Sequence, residues 1–128
     1  MKIFLSLCLS VLSVTVSANE VAIRGVQFNQ ANGLWTVHVT LEHEDSGWDH
    51  YADAWRVVNE KGDVLGNRIL YHPHENEQPF TRSLGNVLVP KGVSIVFVEA
   101  HDKVHGWSKQ RVRVDLSQAK GERFEVRR

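Results

Sequence analysis

Two histidines and two carboxylates fall within six residues of the stretch Leu70-Tyr-His-Pro-His-Glu-Asn-Glu-Gln-Pro-Phe80. Neutral imidazole is the commonest protein ligand for transition metals, and carboxylates complete many such sites. Pro73 favours extended backbone at His72. His72 and His74 are then expected to project to the same side, their attachment points roughly 6–7 Å apart. That spacing lets two rings share one ion. Five more histidines, at positions 38, 43, 50, 101 and 105, bring the total to seven. Whether any of them joins the first two depends on how the chain runs between them.

Short runs of Val, Ile, Trp and Phe recur along the sequence, separated by Gly, Asn and Pro, which is the pattern of an all-β chain. Residues 21–28 read as a strand, and Asn32-Gly33 as a tight turn. In residues 34–43, Trp35, Val37, Val39 and Leu41 alternate with Thr36, His38, Thr40 and Glu42, as in a half-buried strand. Further strands are expected over residues 51–59, 64–71, 80–89 (with a bulge at Gly85-Asn86), 93–101 and 107–116. The tail, residues 117–128, has room for one extra short strand near 123–127. Seven strands with short connections imply a two-sheet antiparallel sandwich.

If consecutive strands run up and down, one end of the sandwich receives His43, His50, His72, His74, His101 and His105. The turns at the other end, "NQANG", "NEKGD" and "VPKG", contain no histidine. Only His38 is mid-strand, on the outward side by parity. The expected ligands are His72, His74, His101 and His105, then His50 and His43, with Glu77 or Asp49 as a carboxylate. Trp48 and Trp107 can wall such a site from water. Without Cys or Met past the leader, the soft ligands that favour cuprous copper are missing, so Cu(II) or Zn(II) is the expected ion. Competing roles exist for each group. The rings can bond loop carbonyls, Trp35 and Trp55 suit the core, and Arg56 and Arg82 suit ion pairs with Asp53 or Glu99. A different use of the same end is contact with an envelope protein, with Trp48, Tyr51 and Trp107 as anchors.

The stretch "VPKGVSIVFVEAHDKVHGW" resembles the late strands of fibronectin type III and related immunoglobulin-like modules, where a Pro-Gly turn feeds an apolar strand and then a polar hairpin. That resemblance implies a seven-stranded antiparallel sandwich of the immunoglobulin/fibronectin III type and brings no active site with it. The pairing of "GWDHYADAW" with "HPHENEQPFTRS" also resembles small exported bacterial proteins.

The first residues form a leader. Met1-Lys2 precedes the apolar run "IFLSLCLSVLSVTV" and the small residues Val16-Ser17-Ala18, the pattern of a secretory signal peptide cleaved after Ala18. The run is shorter than a comfortable bilayer span. A periplasmic or secreted domain of residues 19–116 plus the tail is expected, monomeric and with no membrane anchor after cleavage. Its one cysteine, Cys8, falls in the leader, so the folded part must be held by its core alone. Acids and bases balance at 15 each, with no basic stripe that would suggest nucleic acid. Ser46 has no nucleophile-elbow context, and no enzymatic turnover is expected.

Overall fold

The computed structural model describes residues 20–128. The leader, with Cys8 and the expected cleavage point, lies outside the described residues. The strands are β1 (Ala22–Ala31), β2 (Leu34–Glu42), β3 (Ala52–Asn59), β4 (Val64–Ile69), β5 (Phe80–Val87), β6 (Ile95–Asp102), β7 (Gly106–Asp115), β8 (Lys120–Gly121) and β9 (Phe124–Arg127). They form two sheets, ordered β5-β2-β1-β9-β8 and β4-β3-β6-β7. The sheets share one core, in which Trp55, Phe28, Phe80 and Ile23 are the largest fully enclosed side chains.

Alternation sets the two faces. Val37, Val39 and Leu41 of β2 are completely buried, as are Val96, Val98 and Ala100 of β6 in the facing sheet. Asn32 and Gly33 both have positive φ (53° and 77°), the geometry of the two-residue reversal that joins β1 to β2. The bulge at Gly85-Asn86 is present. Trp35 pairs with Val87 and Val37 with Leu84, so β5 carries one extra residue there, and Asn86 takes a φ of 56°.

Two features correct the expected seven-stranded antiparallel arrangement. Nine strands are present among the described residues, and β9 runs parallel to β1, with Val26 beside Phe124 and Asn29 beside Arg127. The reason is the turn at Glu122-Arg123. It reverses the chain after β8, so that the last strand descends alongside the first. Val126 thereby enters the core at 8% exposure, and the tail is part of the sheet.

Gly121 makes this hairpin possible. A Cβ there would run into the ring of Phe124, which packs against the core. Gly121→Ala is expected to lower stability by about 1–3 kcal/mol through overpacking. A thermal melt, with amide exchange in β9 as a local readout, checks this.

On the outer face of the four-stranded sheet, Arg56 lies 3.6 Å over Trp107 and pairs with Glu99 at 2.9 Å. Arg111 covers Phe97 at 3.8 Å on the same face. This ladder occupies Trp107 with packing.

Candidate metal centre

β2 and β6 end at the same pole of the molecule, one in each sheet. The pairings Leu41 with Phe80 and Ala52 with Asp102 bring the starts of β5 and β3 to that pole too. His43 directly follows β2 and stays on its inward parity, while Asp102 ends β6 on the inward parity of Val96, Val98 and Ala100. The loop after His43 returns His50 against both. Ligand atoms of His43, His50 and Asp102 all lie within 4.8 Å of one another. The His43 and His50 rings meet edge-on at 4.8 Å, and His105 adds a third ring 5.1 Å from His50.

Polar atoms are left over at this point. Asp102 Oδ1 accepts the backbone N–H groups of Val104 (2.9 Å) and His105 (2.8 Å), which shapes the hairpin, and lies 3.0 Å from His105 Nδ1. Its Oδ2 is buried with no hydrogen-bond partner. His50 Nε2 is buried too. It lies 3.2 Å from Asp102 Oδ1 without the alignment of a hydrogen bond. Buried polar groups are seldom left so, because each one costs about 1–3 kcal/mol. Burial pushes the Asp102 carboxyl up, but the N–H groups of His105 and Val104 outweigh it and hold its pKa below the ordinary value. The group is therefore an anion at neutral pH, enclosed among imidazoles.

A carboxylate also sets the tautomer of His43. Asp45 Oδ1 lies 2.6 Å from His43 Nδ1 and accepts the Ala52 N–H at 3.0 Å. Asp45 Oδ2 accepts the N–H of His74 at 2.7 Å. Burial raises the Asp45 pKa, but the hydrogen bonds from His43, His74 and Ala52 together prevail and lower it. An ionised Asp45 accepts only, so the His43 proton sits on Nδ1 and Nε2 is the nitrogen His43 would turn to an ion. Carboxylate–histidine pairs of this kind orient metal ligands in many sites. Around a tetrahedral ion, ligand atoms sit about 3.3–3.6 Å apart. The trio would have to contract by roughly 1 Å, within the reach of rotamer adjustments around the partly exposed His50.

The other expected ligands go elsewhere. His72 and His74 do lie side by side, their ring centres 4.5 Å apart, but His72 is exposed and close to the Pro73 carbonyl (Nδ1 to O 3.1 Å). His74 is buried, stacked on Phe80 at 4.0 Å, and its Nε2 accepts from Arg82 at 2.9 Å. Burial first, then the charges of Arg82 and His72, lower its pKa, so the ring is neutral. Glu77 pairs with Arg82, whose hydrogen bond holds the carboxyl low. His101 falls on the outer parity of β6, bonded to Asp53 at 2.5 Å and edge-on to Trp107. Asp49 is exposed. His105 alone of the four leading candidates stands beside the cluster. Asp102 was not among the expected ligands.

Of the expected contact aromatics, Trp48 is 67% exposed and meets Tyr51 edge-on at 5.8 Å. Tyr51 itself is buried.

The chain is 48% identical over 77 residues to a protein of Halomicrobium mukohataei that carries the name "Putative lipoprotein". That similarity covers 60% of this chain and 37% of the relative, so the chain spans well under half of the relative's length. No known family profile matches the chain, and no solved structure matches it.

Proposed function

We propose that the protein is an exported domain that binds one divalent transition-metal ion, Cu(II) or Zn(II), through His43, His50 and Asp102. His105 completes the coordination from the solvent side. The carrying observation is the pair of buried unpartnered atoms, Asp102 Oδ2 and His50 Nε2, beside an imidazole fixed by Asp45. A cation satisfies both atoms at once. The side chains of His43 and Asp102 have no solvent exposure, whereas His50 and His105 are 22% and 29% exposed, so an ion enters past the latter two. Such a closed, largely buried set suits binding, delivery or sensing better than turnover.

Two further points support the setting. The leader and the name of the relative both favour export. The strand orders β5-β2-β1 and β4-β3-β6-β7 agree with an immunoglobulin/fibronectin III-like sandwich extended by β8 and β9. A second reading, docking of an envelope protein at the same pole, draws on the exposure of Trp48 and Tyr71.

Histidine must lose its proton to bind a metal, so affinity is expected to fall steeply between about pH 7.5 and pH 5.5, across the ordinary histidine pKa. Calorimetric titration of the untagged domain with Cu(II) and with Zn(II) at both pH values tests this, together with elemental analysis of the purified protein. Weak uptake that is equal at both values would reject metal binding and leave the docking reading.

A further inference from the structure

A separate feature lies down the side of the molecule, where the β8–β9 hairpin stands against β7. A cleft of about 330 Å³ opens there, lined by Arg111, Val112, Arg113, Glu122, Arg123 and Phe124. Three arginines and one acid line it, in a chain whose fixed charges balance overall. Arg111 is engaged loosely, 3.8 Å from Glu99 and stacked over Phe97. Among the described residues, Arg113 and Arg123 make no ion pair and no side-chain hydrogen bond. Asp115, two residues past Arg113, is held first by Ser117 and feels Arg113 least of its neighbours.

The backbone at Arg123 adds an independent sign. Its φ is 62°, in the left-handed region that disfavours side chains and suits glycine. Strain of this kind occurs in tight turns, as at Asn32, and clusters at ligand-binding sites. Here Arg123 lines the cleft from the β8–β9 turn, and Arg111 and Arg113 line it from β7.

We propose that this cleft binds a phosphate group, held by the guanidinium groups of Arg113 and Arg123 with Arg111 at its rim. Guanidinium offers paired N–H donors that match two phosphate oxygens, and charge-assisted bonds of this kind are the strong ones. The cleft is larger than phosphate alone, so the ligand is a phosphate ester whose organic part rests on the partly buried ring of Phe124. Glu122 remains as an acceptor for a hydroxyl on that part and repels a second anion. The ester is either a small soluble one or a lipid headgroup. This site is independent of the metal centre.

The test uses the full chain in two arms. In the first, inorganic phosphate is titrated at constant ionic strength, followed by amide shifts. Saturable shifts at residues 111–113 and 122–124 are expected. Arg123→Gly should weaken binding about tenfold or more, the loss of a charge-assisted pair. Its thermal midpoint should hold or rise, because glycine relieves the strained φ. Arg113→Gln gives the same loss without touching the turn. In the second arm, phosphatidylcholine vesicles with and without phosphatidic acid are sedimented with the protein. Selective co-sedimentation that both variants abolish assigns the phosphate to a lipid, and binding in the first arm alone assigns it to a soluble ester. Shifts that never saturate, or binding unchanged in both variants, overturn the proposal.

Discussion

A His50→Ala variant is expected to lose at least about a hundredfold in affinity for Cu(II) or Zn(II), more than removal of an outer-shell partner typically costs. Its unfolding midpoint without metal should stay within a few degrees of wild type, roughly the response to a change below 1 kcal/mol. The combination is what separates a ligand from a structural residue. His50 Nε2 makes no hydrogen bond in the fold, and the ring is partly open to solvent, so truncating it orphans nothing. Asp102 offers no such separation, because its Oδ1 also holds the Val104 and His105 N–H groups. Undiminished uptake by His50→Ala would mean that the ion, if bound, sits elsewhere.

Replacing Asp45 by alanine should produce the largest loss of stability at this end of the molecule. Three donors share its carboxylate: the His43 ring and the backbone N–H groups of His74 and Ala52. The side chain is fully enclosed. Breaking a buried charged network of this kind typically costs about 3–5 kcal/mol. The pH dependence has a definite sign. The folded-state pKa of Asp45 is lowered, so its contribution is fully present above the unfolded value near 3.8 and disappears as pH falls through the folded value. Urea denaturation of both proteins should therefore show a wide gap at neutral pH that narrows in strong acid. His74 adds a slope of its own. Its lowered pKa favours the neutral ring in the fold, so stability falls as pH drops below 6.5 toward the folded value. A gap that does not change with pH would show that Asp45 acts through packing alone.

Much of the scaffold was legible because its strands are long enough to display a period. The alternation from Trp35 to Leu41, the Asn32-Gly33 reversal and the bulge at Gly85-Asn86 all follow from local chemistry. β8 and β9, of two and four residues, are too short to show one, and the parallel pairing with β1 depends on the distant turn at Arg123. At the candidate metal centre, the run of strand directions sends six histidines toward one pole. It did not say which of them point inward. That signal was nevertheless present in the sequence: His43 is in phase with Val37, Val39 and Leu41, and Asp102 with Val96, Val98 and Ala100. Parity also sends His101 outward, to Asp53. The fate of the proline-braced pair was hidden for another reason. His72 and His74 are adjacent as their spacing suggests, but Arg82 occupies His74 Nε2 from eight residues away. Arg56 does pair with Glu99, while Arg82 takes Glu77 and neither Asp53 nor Glu99.

The two strands that flank β1 lie at very different distances from it along the chain. β2 follows after a two-residue reversal, whereas β9 comes roughly a hundred residues further on, a separation of the kind that slows folding. During that interval one margin of the ladder stands unzipped, its amide hydrogens turned toward whatever extended peptide drifts past. The same delay leaves a sticky seam on any chain cut short before Phe124, and copies of such a fragment would be prone to stitch themselves together.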